Sequence, residues 1–205
     1  MIPGPKVLNI LKTELKYTDD DLKRINKFIK YLLLINKKYN LISKSSENDI
    51  WTRHILDSAQ LVKFIKFEDD SSISDLGSGG GFPGIILSIF NKNPRFHVKL
   101  YEKSPIKAKF LEDAIKLVDL NAKVIKGDLF RQIIDSRYIV CRAFKKINKL
   151  IQVSREICKK PHKFIILKGK SAQDEIEKAM KNKIFKYSLV KSITSRDSKI
   201  LIWNR

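Results

Sequence analysis

Hydrophobic positions along the chain follow two different periods. Thr18 to Asp21 forms a capping-box signature, followed by Leu22, Ile25, Phe28, Ile29, Leu32 and Leu33 at helical spacing. This pattern predicts a helix ending near Tyr39-Asn40. A second start signal, Ser46 to Asp49, predicts a helix through Trp51, His54, Ile55, Ser58, Leu61, Val62 and Ile65. The acidic FEDDSS stretch at 67–72 reads as a linker, so residues 1–70 form a helical N-terminal segment. From Ile73 the texture changes. Short apolar runs at Ile73–Leu76, Val98–Glu102, Lys123–Lys126, Tyr138–Cys141, Phe164–Lys168 and Ile200–Trp203 read as strands. Residues 83–91, 105–118, 146–158 and 171–182 read as helices between them. Alternating β and α elements imply an α/β domain over 71–205 with a doubly wound, mostly parallel sheet. Phe185–Val190 and Lys199–Trp203 lie too close for a crossover helix, which predicts a seventh strand and a terminal antiparallel hairpin. Such a hairpin ends one version of this Rossmann-like architecture and not the usual dinucleotide-binding one.

Chemistry enters at Asp75-Leu76-Gly77-Ser78-Gly79-Gly80-Gly81-Phe82-Pro83-Gly84, between the first strand of the sheet and a helix. Open α/β sheets bind ligands beyond the carboxyl ends of their strands, where this loop falls. Gly77, Gly79 and Gly81 permit positive φ and close approach of backbone to ligand. Two cofactors compete for the loop. Gly79-x-Gly81-x-x-Gly84 formally fits a dinucleotide fingerprint, but starts two residues late and places Pro83 in the turn. Acid-x-Gly-x-Gly-x-Gly starts at Asp75 and suits S-adenosylmethionine, which carries no phosphate. An acid beside the loop can hold its ammonium, directly or through water, and would repel pyrophosphate. Glu102, ending the second strand, fits ribose hydroxyls of either cofactor. Asp128, after Gly127 and the third strand, suits the adenine amino group.

Composition narrows the partner. The net charge of +20 is unevenly spread: ten Lys/Arg face four acids in residues 1–45, fourteen face thirteen in 46–141, and fifteen face four in 142–193. A near-neutral middle between basic flanks points to a polyanion, most simply RNA. Arg142, Lys145, Lys146, Lys168 and Lys170 follow successive strands and are candidates for RNA contact. Cys141 and Cys158 form neither a disulfide framework nor a metal set, and no metal is expected. No apolar run approaches the roughly 20 residues of a membrane span. A monomer in the cytoplasm, away from membranes, is expected.

Taken together, Tyr39-Asn40-Leu41, Arg53-His54-Ile55-Leu56-Asp57-Ser58, the glycine loop with Phe82-Pro83-Gly84, Glu102-Lys103-Ser104 through Phe110-Leu111-Glu112, Arg142-Ala143-Phe144 and Leu167-Lys168-Gly169 resemble one family. It is the glucose-inhibited division protein B family, guanine-N7 methyltransferases of bacterial small-subunit (16S) ribosomal RNA. The resemblance runs from Tyr39 to the last strand and implies a class I methyltransferase fold. It also implies S-adenosyl-L-methionine as cofactor, the 16S RNA or small ribosomal subunit as partner, and cofactor contacts at Gly77, Phe82, Gly127, Asp128 and Arg142. The chain departs from the family pattern at Gly127-Asp128, where Ala-Glu or Val-Glu is usual, and at Cys141, where Ser or Thr is common. Guanine N7 offers a lone pair and no proton, so positioning without a general base is expected. The Asn/Asp-Pro-Pro-aromatic motif of amino-group methyltransferases is absent from the sequence. Cys141 lacks the neighbours of a carbon-methylating nucleophile and reads as a buried small residue. His54, Asp57 and Ser58 share a helical face and read first as a polar cluster tying the N-terminal segment to the sheet, with substrate contact as the alternative. A non-enzymatic RNA-binding or ribosome-assembly factor is the competing functional class; the intact Asp75 and glycine loop argue against it.

Overall fold

The structure, a computed structural model, describes residues 2–142, 144, 146–180 and 186–205. Lys145 lies outside the described residues, as do the end of the expected helix at 181–182 and the start of the expected strand at Phe185.

The chain opens with α1 (Pro5–Asn9) and a π-helical turn at Ile10–Glu14. Helix α2 (Asp19–Tyr39) begins at the capping box: Thr18 Oγ accepts from Asp21 N and Asp21 returns the bond to Thr18 N. It ends where Asn40 turns left-handed at φ 48°. The second expected helix needs correction. A turn, α3 (Lys44–Glu47), starts after Ser43, three residues before Ser46. A π-helical stretch (Trp51–Leu56), α4 (Asp57–Ala59) and a 3₁₀ turn (Gln60–Phe64) follow it. Ser46 caps nothing, because its hydroxyl donates to Ser43 O and meets His54 Nε2 at 2.8 Å.

The sheet contains β1 (Ser72–Leu76), β2 (His97–Glu102), β3 (Ala122–Lys126), β4 (Tyr138–Arg142), β5 (Lys163–Lys168), β6 (Tyr187–Lys191) and β7 (Lys199–Asn204). Between them run α5 (Gly84–Phe90), α6 (Pro105–Leu117), α7 (Ile147–Glu156) and α8 (Ala172–Met180). Strand order is β3-β2-β1-β4-β5-β7-β6. The first five strands pair in parallel, while β7 runs antiparallel between β5 and β6. The expected hairpin is present, and the chain reverses its direction of winding between β1 and β4.

Alternation along buried strands feeds two cores. Ile165 and Leu167 of β5 join the cluster containing α2, α5 and α6, whereas Phe164 and Ile166 join that of α7 and α8. The N-terminal helices have no core of their own. Phe28 of α2 is fully buried, 5.6 Å from the Phe82 ring and 6.2 Å from that of Phe110. Tyr17 Oη donates to Ile86 O, and Arg24 donates to Val118 O at the end of α6. Truncating an aromatic at such a position costs about 3–5 kcal/mol. The N-terminal segment is therefore packed against the sheet, with Leu41 and Ile42 beside Gly80 and His54 beside Phe82. No helix among the described residues is long and apolar enough to cross a membrane.

Candidate methyl-donor site

At the carboxyl end of β1 the backbone turns sharply: Gly77 has φ 70° and its N–H donates to Tyr101 O on β2. A Cβ at Gly77 would fall 2.2 Å from the Phe144 ring, so the glycine permits this close approach as well as the turn. Glu102 then fixes the loop. Its Oε2 accepts from Gly79 N and its Oε1 from Ser104 N, both at 2.8 Å. Asp75 works from behind. It is completely buried, and its Oδ2 accepts from Gly84 N at 2.9 Å, anchoring the start of α5. Its Oδ1 has no hydrogen-bond partner, and burial pushes the carboxyl up to about 7.

These elements enclose a cavity of about 410 Å³ lined by Gly77, Gly79, Glu102, Gly127, Asp128 and Phe144, among others. It thus gathers five of the residues singled out in the sequence from three strand ends. Gly127 has φ 107° and lets the chain turn toward Asp128, whose carboxylate caps the 3₁₀ turn Leu129–Arg131 through Phe130 N. Asp75, Gly81, Phe82 and Arg142 do not line this cavity. A Cβ on Gly81 would meet Ile85 and Phe28, inside the core. Phe82 is buried between Phe28 and His54, whose ring lies 4.8 Å away. Phe144, Tyr101, Lys103, Lys107 and Phe130 line the cavity without having been singled out as contacts. The signal for Phe144 was its place directly after β4 within Arg142-Ala143-Phe144. Larger hollows lie at the opposite end, including one of about 890 Å³ beside Ser72, His97 and Arg137. That is the amino end of the parallel strands, away from where such sheets bind ligands.

Arg142 occupies a different position from the one its motif suggested. Its Nη1 donates to Arg53 O at 2.8 Å, and its Nη2 lies 2.6 Å from His54 Nδ1. The guanidinium also covers the Phe82 ring, 5.1 Å from its centroid. Burial, then the charges of Arg142 and Arg53, push His54 down to about 3. The imidazole is therefore neutral, accepting from Arg142 at Nδ1 and donating from Nε2 to Ser46 Oγ. Asp57 stands across from Arg142 and accepts from Gln60 and Thr194. Ser58 is buried with an unpartnered hydroxyl, so the expected trio divides: Arg142 bonds His54 and stands 3.9 Å from Asp57, and Ser58 stays outside. Of the lysines, Lys146 and Lys170 are exposed, whereas Lys168 is largely buried and donates to Glu175 at 2.7 Å. Cys141 is buried, and burial pushes its thiol well above the usual range, which disfavours a thiolate nucleophile.

The family described as GidB, rRNA small subunit methyltransferase G, matches residues 21–201. The chain belongs to this family. A ribosomal RNA small subunit methyltransferase G from Rickettsia bellii is 40% identical over 166 residues, covering 81% of this chain and 84% of the relative. One from Pelagibacter ubique is 37% identical over 179 residues, covering 85% and 84%. Among solved structures, a SAM-dependent methyltransferase from Aquifex aeolicus superposes with TM-score 0.62 at 13% identity, over 82% of this chain and 97% of that one. Fibrillarin from Aeropyrum pernix, solved with natively bound S-adenosyl-L-methionine, gives 0.54 at 15% identity over 74% and 75%. At such identities these structures establish the fold. As a GidB-family member the protein is a methyltransferase that uses S-adenosylmethionine. Its residues fit that cofactor: glycine backbone walls the cavity, and Glu102 and Asp128 share its rim with Lys103 and Lys107. Acids and bases together suit a ligand carrying an ammonium, a carboxylate and a sulfonium.

Proposed function

We propose that this protein methylates guanine N7 at one site in small-subunit (16S) ribosomal RNA, acting on the RNA or the subunit as a cytoplasmic monomer. Methylation of ribosomal RNA is the coarser activity of its family; the atom and the single site are the finer reading. The observation that carries this reading is the cavity at the β1–β4 switch, where the glycine loop, Glu102 and Asp128 converge. On this reading residues 71–205 bind the methyl donor, with contacts at Gly77, Gly79, Glu102, Gly127 and Asp128. Residues 1–70 form the helical appendage beside it. Asp75 and Gly81 then act by holding the loop in shape, and Phe82 and Arg142 by joining the appendage to it. Exposed Lys146 and Lys170, with Lys145, are assigned to RNA phosphates.

S-adenosylmethionine, when bound, supplies an electrophilic methyl group on a sulfonium. The chain's own residues contribute position. Glu102 holds Gly79, and Asp75 holds Gly84, so the loop is rigid before any ligand arrives. Guanine N7 carries a lone pair and no proton, so the chain need only place it against the methyl group the cofactor would supply. No proton moves, and no general base is required of the chain.

Borohydride-aniline chemistry cleaves RNA at 7-methylguanosine. The purified protein should create one new cleavage site in unmethylated small-subunit RNA. RNA from a deletion strain should lack that site, and supplying this chain should restore it. Appearance of a different methylated nucleoside, with cleavage unchanged, would refute the N7 assignment and leave the methyltransferase reading intact.

A further inference from the structure

A second hollow, of about 230 Å³, opens at the carboxyl ends of β4 and β5, lined by Asp57, Arg142, Lys168, Gly169, Glu175 and Ser198 among others. Arg142 lines this hollow, and Phe144, two residues on, lines the donor cavity. Its charges are unequally engaged. The Arg142 guanidinium donates to Arg53 O and His54 Nδ1, and Lys168 Nζ donates to Glu175. Asp57 is held from two elements: Oδ1 accepts from Gln60 Nε2 at 3.0 Å and Thr194 Oγ1 at 2.9 Å, with the Ser192 hydroxyl also bonded to the carboxylate. Its Oδ2 stands 3.9 Å from Arg142 Nη1, outside hydrogen-bonding distance. The hollow therefore offers an incoming group a fixed carboxylate oxygen beside cations already turned to other partners.

We propose that this hollow seats the acceptor base, and that Asp57 selects guanine by accepting from N1–H and the N2 amino group. The proposal rests on the N7 reading above. Enzymes that modify a base take it out of the stack and read its Watson–Crick edge. Guanine carries its donors on that edge, whereas N7 lies on the Hoogsteen side of the ring system. A guanine gripped by Asp57 thus leaves its reactive lone pair clear of the protein acceptor. Adenine would set the N1 lone pair against the carboxylate, which disfavours it. The 7-methylguanine product is cationic, and a carboxylate on the far edge offsets charge developing in the ring.

The test uses small-subunit RNA with one inosine at the mapped methylation site. Inosine keeps N7 and N1–H but lacks the N2 amino group. With the unmodified enzyme, kcat/KM for transfer to N7 should fall about ten- to hundredfold on inosine, the loss of one hydrogen bond to a charged group. Asp57→Asn should cause at least as large a fall on guanosine, because neither N1–H nor the N2 amino group then finds an acceptor. Its carbonyl would face the Gln60 and Thr194 donors, which turns an amide N–H toward the hollow. On inosine that variant should lose less than on guanosine, because the N2 bond is already absent and only the N1–H bond remains to be lost. Its affinity for S-adenosylmethionine should stay within about threefold of the parent. Equal transfer to guanosine and inosine by the unmodified enzyme would overturn the proposal, as would losses that simply multiply. If Asp57→Asn does not fold, the unmodified enzyme's response to inosine decides. Failure to form 7-methylguanosine at all would instead mark the N7 reading as wrong, and this proposal with it.

Discussion

The two sides of the β1–β4 switch are built by different means. On the β1–β2–β3 side the walls are backbone: glycines with φ of 70°, 54° and 107°, held by carboxylates that accept from main-chain N–H groups. On the β4–β5 side they are side chains that reach across the sequence. Arg142 meets His54 and Arg53, which precede it by 88 and 89 positions, and Asp57 meets Thr194, 137 positions on. A backbone wall tolerates little added volume but needs few long-range partners. A side-chain wall depends on the N-terminal segment staying docked. Changes to the glycines of the first side should therefore act chiefly on cofactor binding, and changes on the second side on stability and acceptor handling.

The largest effect is expected from Gly79→Asp. A Cβ there would have no protein atom closer than Gly77 O at 3.7 Å, and the φ of 54° costs a non-glycine residue only about 1–2 kcal/mol, so the fold should survive. The added carboxylate would occupy ligand space, and S-adenosylmethionine affinity should fall on the order of a hundredfold or more. Calorimetry on a variant shown to be folded by circular dichroism checks this. Near-parental affinity would mean the cofactor does not lie along the loop.

Arg142→Met should show the converse behaviour. It keeps much of the apolar stem over Phe82 but deprives Arg53 O and His54 Nδ1 of their donor. Unfolding free energy should drop by about 1–3 kcal/mol, the cost of leaving the buried His54 acceptor unpaired. Methyl transfer should fall at least about tenfold while S-adenosylmethionine affinity changes by less than about threefold. Loss of cofactor affinity larger than the loss of stability would place Arg142 in the donor site after all.

The same contrast explains what could be read from the sequence. The seven strands, α2 with its capping box, and the loop from Asp75 to Gly84 rest on local periodicity and contiguous residues, and their positions follow from the string alone. That Gly77, Gly79, Glu102, Gly127 and Asp128 line one cavity follows from their places at strand ends, where the topology converges. Asp75 and Phe82 belong to the same string, yet the side each faces is set by α5 and α2 packing behind the loop. The broken helix over residues 44–64 misled the capping reading, since Ser46 answers to His54 and not to its own helix. Phe144 against Gly77, and the Asp57 bonds to Thr194, join segments that no spacing rule connects.

The smallest effect separates the two sides by pH. Burial with Arg142 and Arg53 beside it holds His54 down at about 3 against an ordinary 6.5. Between those values the unfolded chain binds a proton that the native chain refuses, so this group lowers stability as pH falls. Asp75 has the opposite sign. Burial raises it to about 7 from 3.8, so within that window the native chain binds the extra proton, and stability grows as pH falls. In the parent the two slopes oppose each other through most of the range from 6.5 to 4. His54→Gln should remove the first and leave stability rising on acidification; Asp75→Asn should remove the second and leave it falling. Each slope is bounded at about 1.4 kcal/mol per pH unit, the value for one whole proton. Denaturant unfolding at several pH values reads the slopes separately from any uniform offset that lost hydrogen bonds cause. Variant curves running parallel to the parent would show that neither group titrates differently in the native state. Opposed slopes would give each wall of the site its own signature in solution.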